Sequence, residues 1–308
     1  MKGKKFLCGL TCAAVLAVPT AALADSTDVN LIVNSARVTG NAQMGQVYIS
    51  SAGHTMVPLR MVNDVMGYET EWNKDGTIHI VEKDGDVDVT LKVGSLDYVA
   101  GGQAGKFATA PMIKNNRTYL PARDFSELYG AIHWDNDTRT VWISECDDTD
   151  YQVIGTKLFR ADASGIHEMA LPEGHKIYND MRTDPIVLER TINDVNYLAI
   201  RDKNDWVGKV PLYRDNGMGL EYLTDVYGSA SFFVDGDTVY YTDGNMAGGW
   251  GYKPDPNRLT VTTVGPNGTT KEVKVDFDIS VCKLDVEDEK LIAEAPNGDE
   301  YVLNDYLK

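Results

Sequence analysis

Few residues of this 308-residue chain combine the type and the spacing that catalysis requires. Ser280 and Lys283 match the Ser-x-x-Lys motif of penicillin-binding enzymes, but that motif needs a helix, and residues 276–284 alternate like a strand. Aspartates at 84–88 and 135–137 are similar to calcium loops, yet they lack the following glycine and the distant glutamate of an EF-hand. We therefore expect solvated turns there, and we predict no catalytic, metal-binding or cofactor-binding residue.

The best local candidate for ligand contact is the glycine-rich segment 246–254. We expect it to form a long loop that presents Trp250 and Tyr252, because aromatic faces on loops suit sugar rings or partner side chains. It is not a phosphate loop, since Pro254 follows Lys253 and no Ser or Thr is in register. The alternative is a loop whose aromatic side chains pack against a neighbouring sheet.

An internal repeat near the N-terminal end determines the helices and strands that would position a functional site in this part of the chain. The same residues return in the same order about sixty-three positions later. They are Pro58, Arg60, Gly67 and Trp72 in the first copy, and Pro121, Arg123, Gly130 and Trp134 in the second. Apolar residues at helical spacing lie between each arginine and glycine, and strand patterns follow. Each copy is therefore predicted to be one small α+β unit.

Each recurring residue has a predicted structural role. Each proline precedes its helix, where its missing N–H costs nothing, and each glycine caps its helix, with a left-handed conformation predicted for Gly67. Arg60 and Arg123 lie at helix N-termini, where a positive charge is unfavourable. We therefore expect each guanidinium to pair with carboxylates or carbonyl groups of a neighbouring strand. Trp72 and Trp134 are expected to be buried in the core.

The repeated region resembles the copper amine oxidase N-terminal domain-like family. The resemblance is carried by residues 94–99, 110–123, 130–135 and 138–143, and it covers about 29–144. This family, also called the stalk domain, is common in secreted and surface proteins of Gram-positive bacteria. The resemblance implies a duplicated α+β stalk-like domain.

The resemblance does not extend to amine oxidase chemistry. A copper amine oxidase catalytic domain requires Thr-x-x-Asn-Tyr-Asp/Glu for its quinone cofactor, and three copper-binding histidines. The one Asn-Tyr pair in this chain is Asn196-Tyr197. It has Asn193 in place of the threonine and Leu198 in place of the acid, and the sequence contains no His-x-His pair. We predict that the protein is not an enzyme and binds no cofactor.

The N-terminal segment and the composition indicate export. Residues 1–24 combine a lysine-rich start, an apolar stretch too short to span a bilayer, and an Ala-x-Ala cleavage motif. We expect no membrane span after this signal is removed. The formal net charge of −17 disfavours nucleic acid as a partner. Cys146 and Cys282 follow the signal, and we expect free thiols and a flexible acidic linker at 145–150.

The second half of the chain is predicted to be all β. From residue 151 onward, short strand patterns alternate with Asp-Gly and Asn-Gly turn signals, and helical periodicity is absent. This alternation of short strands and turns favours either a small or incomplete propeller or an antiparallel meander or sandwich. The predicted organisation is a signal peptide at 1–24, a stalk-like domain at 25–146 and an all-β domain at 147–308.

These observations favour a secreted, non-catalytic protein associated with the cell envelope of a Gram-positive bacterium. The stalk-like domain would present a β domain that binds a cell-wall or surface polymer, or another secreted protein. The main alternative is a secreted hydrolase that acts on cell-wall glycan, with its site in the β domain. A purely structural spacer is a third possibility.

Overall fold

The computed structural model describes residues 28–82, 88–179, 185–201, 209–228, 231–244, 255–265 and 268–308. These residues are mostly β-strand and form seven sheets, with two α-helices and two 3-10 helices. Within these ranges no helix has the length and apolar character that crossing a membrane requires. The predicted signal segment, 1–24, lies outside the described residues.

The N-terminal half of the fold contains both α-helices and three sheets. Its elements are β1 (Asn30–Val33), β2 (Ala36–Val38), β3 (Tyr48–Ile49), β4 (Thr55–Pro58), α1 (Leu59–Met66), β5 (Tyr68–Trp72), β6 (Thr77–Glu82), β7 (Asp88–Lys92), β8 (Asp97–Ala100), β9 (Gln103–Lys106), β10 (Met112–Lys114), β11 (Arg117–Pro121), a 3-10 helix (Ala122–Phe125), α2 (Ser126–Tyr129), β12 (Ala131–Asp135) and β13 (Thr140–Ser144). The sheets have the strand orders β12-β13-β1-β2, β10-β11-β4-β3 and β5-β6-β7-β8-β9. Strands β1 and β13 are parallel, and the other paired strands are antiparallel.

The C-terminal half consists of four antiparallel sheets whose strands follow one another in chain order. The sheets comprise β14 (Asp150–Ile154), β15 (Lys157–Asp162) and β16 (Gly165–Met169); β17 (Ile186–Ile192), β18 (Val195–Ile200), β19 (Lys209–Asp215) and β20 (Leu220–Tyr227); β21 (Phe232–Asp235), β22 (Thr238–Thr242), β23 (Arg258–Thr263) and β24 (Thr270–Lys274); and β25 (Lys283–Glu287), β26 (Lys290–Glu294) and β27 (Glu300–Val302). A 3-10 helix at Leu303–Asp305 follows the last strand.

The two copies of the repeat meet where β4 pairs with β11. The antiparallel register joins Met56 to Pro121, Val57 to Leu120, and Pro58 to Tyr119. Val57 and Leu120 occupy equivalent positions in the two copies, so the register is symmetric about this pair. An antiparallel pair of equivalent strands defines a local two-fold axis. The predicted order of helix, glycine and two strands recurs on both sides of this axis.

One apolar cluster fills the repeated unit. It draws alternate residues from the strands together with one face of each helix, as the period-two and helical patterns require. Its fully buried members include Leu31, Val33, Val57, Val62, Ile78, Ile80, Leu120, Phe125, Val141 and Ile143. Because both copies contribute to the same cluster, neither copy has a separate core.

The two helix-ending glycines differ in conformation. Gly67 has φ 83° and ψ 12°, the predicted left-handed cap, and its N–H donates to the carbonyl of Asn63. Gly130 also ends its helix, but with φ 126° and ψ −110°. The reason is close packing against the end of β13. A Cβ at Gly130 would lie 2.7 Å from the carbonyl oxygens of Ser144 and Glu145, whereas a Cβ at Gly67 would meet nothing within 4 Å.

A packed interface joins the repeated unit to the first C-terminal sheet. The face of the β12-β13-β1-β2 sheet opposite the core carries Ile32 and Trp142, and both are buried. They form an apolar cluster with three residues of β14 and β15, namely Ile154, Phe159 and Ala161. The indole N–H of Trp142 donates to the carbonyl of Asn34 at 2.7 Å. The sheet is therefore covered on both faces.

The segment predicted to be a flexible acidic linker is held in place, so that prediction is wrong. The Glu145 carboxylate accepts hydrogen bonds from the Tyr68 hydroxyl and from the Asn34 side-chain amide. Cys146 packs beside the interface cluster, whereas Cys282 is buried among the last three sheets. Both cysteines are free thiols. The interface and these polar contacts hold the start of the segment that its acidic composition predicts to be a flexible linker.

The four C-terminal sheets pack face to face in chain order. In β18, Leu198 and Ile200 face the first sheet, and Tyr197 and Ala199 face the third. The first strands of the last three sheets also lie close together. Arg190 of β17 donates to the carbonyl of Phe232 in β21 and lies 3.2 Å from the carboxylate of Asp285 in β25.

The two glycines provide a matched test of this packing. We expect Gly67→Ala to lower the free energy of unfolding by about 1–2 kcal/mol, the cost of a left-handed non-glycine residue. Gly130→Ala should cost about 3 kcal/mol or more, because backbone strain and overpacking against β13 add. Urea unfolding of both variants measures the difference. Equal losses would contradict the close approach of β13 to Gly130.

Candidate binding grooves on the repeated unit

The two repeated tryptophans are exposed, so the prediction that they are buried in the core is wrong. Trp72 is 45% exposed and Trp134 is 37% exposed. Along β5, Tyr68, Thr70 and Trp72 share the face that carries α1, and the exposure of these side chains increases in that order. Asn63 of α1 donates to Thr70 at 2.7 Å. The short helix covers the start of the strand, and Trp72 lies at its uncovered end.

Trp72 lines a groove of about 400 Å³, which we call groove one. Pro58 and Arg60 of the first copy form one wall, and Trp72 lies beside them. The other wall is the β10–β11 hairpin of the second copy, with Asn116 and Arg117. Groove one is therefore built from both copies of the repeat.

Trp134 lines an equivalent groove of about 720 Å³, which we call groove two. Pro121 and Arg123 of the second copy flank it, and His54 lies on the β3–β4 hairpin of the first copy. His54 occupies the position that is equivalent to Arg117. The local two-fold axis between β4 and β11 therefore relates the two grooves as well as the two copies.

Arg60 and Arg123 are exposed side chains that line these grooves. Within the described ranges, neither guanidinium makes a hydrogen bond or an ion pair, so the predicted pairing with neighbouring strands is wrong. Each arginine follows its proline into the first turn of the helix, and this position directs it toward the groove instead of the sheet. Both charges are consequently available to a ligand.

Hydrogen bonds hold the wall of groove one. Asn115 and Asn116 have φ values of 50° and 59°, which give the type I′ hairpin that places Arg117. The Arg117 side chain donates to the carbonyl groups of Ala42, Gln43 (3.0 Å) and Asn115 (2.6 Å). These bonds fix the wall, and the guanidinium keeps its positive charge.

A buried carboxylate holds the corresponding wall of groove two. Asp124 accepts the backbone N–H groups of Ala108 at 3.0 Å and Thr109 at 3.4 Å. Burial raises the pKa of the Asp124 carboxyl, and these two hydrogen bonds oppose the rise. The Thr109 hydroxyl lies 3.4 Å from Nδ1 of His54. Both grooves thus have walls that are set before any ligand arrives.

The other predicted contact residues, Trp250 and Tyr252, lie outside the described residues. The two ends of their segment are tied together. The buried carboxylate of Asp243 accepts from Nε of Arg258 at 3.0 Å and from the backbone N–H of Asp255 at 2.9 Å. Arg258 also contacts the exposed Glu272 at 3.1 Å. These contacts therefore hold Asp243 and Asp255, which lie on either side of the segment, close to each other.

Two carboxyl groups in the first strands of the C-terminal sheets have raised pKa values. Desolvation by the surrounding protein, together with the negative charge of Asp150, raises the pKa of Glu189 to about 7, although the residue keeps an exposed surface. Burial also raises the pKa of Asp150. One oxygen of the Asp150 carboxyl is buried without a hydrogen-bond partner in the described structure. Both carboxyl groups therefore hold their protons more tightly than solvated carboxylates do.

The motifs that were expected to be solvated turns have turn geometry where they are described. Ser280 donates to Asp278 at 2.6 Å, and Lys283 pairs with Asp285 at 2.9 Å, so the serine and lysine do not form a catalytic pair. Asp135 accepts the Thr138 backbone N–H at 2.7 Å in a local turn. Residues 83–87 lie outside the described ranges. Among the described residues, no group of three or more His, Cys, Asp or Glu could hold a metal ion.

The comparisons with known proteins identify the repeated unit. Residues 32–143 match the family model described as copper amine oxidase N-terminal domain, and this confirms the resemblance drawn from the repeat. The rest of the chain is unassigned. The matched domain is a non-catalytic domain of amine oxidases, so it gives no basis for amine oxidase activity.

The comparisons leave the C-terminal half unassigned. No curated protein matches the chain. One similar solved structure is regucalcin, a calcium-binding protein from Agrobacterium tumefaciens, at 11% identity. The likeness has a TM-score of 0.27 and covers 77% of this chain and 72% of that chain. A TM-score this low supports no conclusion about fold or ligand.

The anchor of the 245–254 segment can be tested with two matched substitutions. We expect Asp243→Asn to lower the free energy of unfolding by about 3 kcal/mol, because it removes the buried countercharge of a largely buried guanidinium. Glu272→Gln removes the exposed partner of the same Arg258 and should cost about 1 kcal/mol or less. Chemical unfolding monitored by circular dichroism gives both values. Comparable losses would show that the buried pair is not the anchor.

The raised pKa of Glu189 predicts a pH dependence of stability. The folded state binds this proton more tightly than the unfolded chain, in which a glutamate titrates near 4.5. The stabilisation is therefore present at low pH and is lost as the pH rises toward about 7. We expect the melting temperature to fall over this interval, and to fall less in Glu189→Gln. An unchanged profile in the variant would contradict the raised pKa.

Proposed function

We propose that this chain is a secreted, non-catalytic protein associated with the envelope of a Gram-positive bacterium, and that it binds an envelope polymer through grooves one and two. In this proposal residues 1–24 are the export signal, 25–146 the stalk-like domain and 147–308 an all-β, propeller-like domain. The observation that carries the proposal is the duplicated groove. Two exposed tryptophans and two unpaired arginines occur at equivalent positions of one unit.

The exposed tryptophans support binding over a purely structural role. An indole that is more than one third exposed loses part of the stabilisation that burial gives, and this loss occurs at both copies. Aromatic faces with one exposed side suit the apolar faces of sugar rings. The hydrogen-bonded walls reduce the ordering cost of binding, so each groove is a preorganised site.

The C-terminal sheets would hold the grooves at a fixed orientation. Ile32, Trp142 and Phe159 pack across the boundary between the two parts of the chain. A ligand bound in the grooves would consequently be held rigidly against the sheet stack and would not swing on a tether. The 246–254 segment, with Trp250 and Tyr252, would provide a second and separate contact surface.

The alternative function is a hydrolase that acts on cell-wall glycan. The observation that favours it is the carboxyl pair of Asp150 and Glu189, since a general acid needs a pKa raised toward neutrality. Reducing-sugar release from peptidoglycan by the mature protein, abolished in Glu189→Gln, would establish this alternative. No release by the unmodified protein would remove it, and equal release by both proteins would exclude Glu189 as its general acid.

Binding to purified Gram-positive cell walls tests the proposal. We expect the mature protein to sediment with the walls. The double variant Trp72→Ala/Trp134→Ala should lose about tenfold or more in affinity, because each stacking contact between an indole and a sugar ring is worth on the order of 1 kcal/mol or more. Met218→Ala removes a 90% exposed apolar side chain outside the grooves and is the matched control.

A further variant separates the two candidate surfaces. Trp250→Ala should retain wall binding if the grooves are the site. Loss of binding in Trp250→Ala together with full binding by the double tryptophan variant would move the site to the 246–254 segment. Absence of sedimentation by the unmodified protein would refute the proposed function itself.

A further inference from the structure

Each groove combines an exposed indole face with an exposed guanidinium at repeat-equivalent positions. Groove one has Trp72 and Arg60, and groove two has Trp134 and Arg123. A guanidinium that is free of protein partners recognises a carboxylate through two parallel hydrogen bonds, whereas an indole face recognises an apolar ring surface. One ligand unit that satisfies both groups needs an apolar ring face and a carboxylate.

The local charge agrees with an anionic ligand. The described residues that line groove one include Arg60 and Arg117 and no carboxylate. Groove two adds His54 to Arg123, and its one acidic lining residue is Asp124, whose carboxylate is buried and bound to backbone N–H groups. Both grooves are thus cationic or neutral sites on a molecule whose formal net charge is −17.

The difference between the positively charged grooves and the acidic rest of the molecule limits which anions could bind. A dense polyanion would meet the repulsion of the whole acidic surface, because its charges extend beyond the groove. A single carboxylate on an otherwise neutral ring would meet only the local arginine. The arrangement therefore favours isolated carboxylates over polyphosphates.

We propose that each groove binds one carboxylate-bearing sugar unit, so that the repeated unit carries two equivalent sites for an acidic glycan. This inference rests on the proposed function and names its ligand class. Trp72 and Trp134 stack on the sugar ring, and Arg60 and Arg123 bind the carboxylate. The local two-fold axis makes the two bound units run in opposite directions.

The differences between the grooves predict unequal affinities. Groove one has Leu59 and Arg117 where groove two has Ala122 and His54. The smaller side chains of groove two agree with its larger volume, and it has a histidine side chain where groove one has the second arginine. Groove one should therefore hold the acidic unit more tightly than groove two.

The ligand class is tested by chemical reduction of the polymer. The probes are Gram-positive cell walls before and after carbodiimide–borohydride reduction of their carboxyl groups to alcohols. We expect reduction to weaken binding of the mature protein about tenfold or more. Equal binding to both preparations would overturn the acidic-sugar inference and leave the proposed function intact. No binding to either preparation would overturn both.

The number of sites is tested by calorimetric titration with the methyl glycoside of galacturonic acid, which carries one carboxylate on one ring. We expect two sites in the unmodified mature protein, and one site each in Arg60→Gln and Arg123→Gln. The double variant should bind none, and Arg60→Lys should bind more weakly than the unmodified protein because lysine cannot donate bidentately. Arg37→Gln removes an exposed arginine of β2 outside the grooves and should retain two sites. One site in the unmodified protein, or two in Arg60→Gln, would overturn the inference.

Discussion

The antiparallel pairing of β4 with β11 is the interaction on which the repeated unit depends. Its register is symmetric about Val57 and Leu120, so it places equivalent residues of the two copies around one axis. Both residues are completely buried in the common cluster. The same pairing brings the hairpin of each copy beside the helix of the other. Grooves one and two exist because of this exchange, and a single copy could form neither groove.

The second constraint is the sheet that contains both chain ends of the repeated unit. Strand β1 pairs in parallel with β13, and this pairing closes the unit by joining its first and last strands. One face of that sheet completes the common cluster, and the other carries Ile32 and Trp142 against the first C-terminal sheet. Deleting the Phe159 ring would leave a cavity on this second face and would destabilise the connection between the two parts.

The organisation of the repeat could be predicted from the sequence because it depends on local signals. Helical spacing, a glycine stop and alternating strand residues are short-range patterns, and the order they predict is the order observed. The left-handed cap at Gly67 depends only on the helix that it ends. Gly130 carries the same local signal, but its conformation is set by the approach of β13, fourteen or so residues away, and no local pattern reports that contact.

The candidate site could not be predicted for the same reason. Trp72 and Trp134 have the type and strand position of core residues, and their exposure depends on how far a short helix extends over each strand. Arg60 and Arg123 are unpaired because each faces a hairpin contributed by the other copy. The available signal was the matched spacing of proline, arginine and tryptophan in the two copies. A residue type that recurs at equivalent positions can mark a repeated site as well as a repeated core.

The most direct test of the twin grooves is the nuclear magnetic resonance spectrum of the indole N–H groups while solubilised cell-wall fragments are added. We expect the signals of Trp72 and Trp134 to shift together and to saturate. The signal of Trp142, which is buried and donates to the carbonyl of Asn34, should remain in place and serves as the internal control. Shifts confined to Trp250, with Trp72 and Trp134 unchanged, would exclude the two grooves as the binding site.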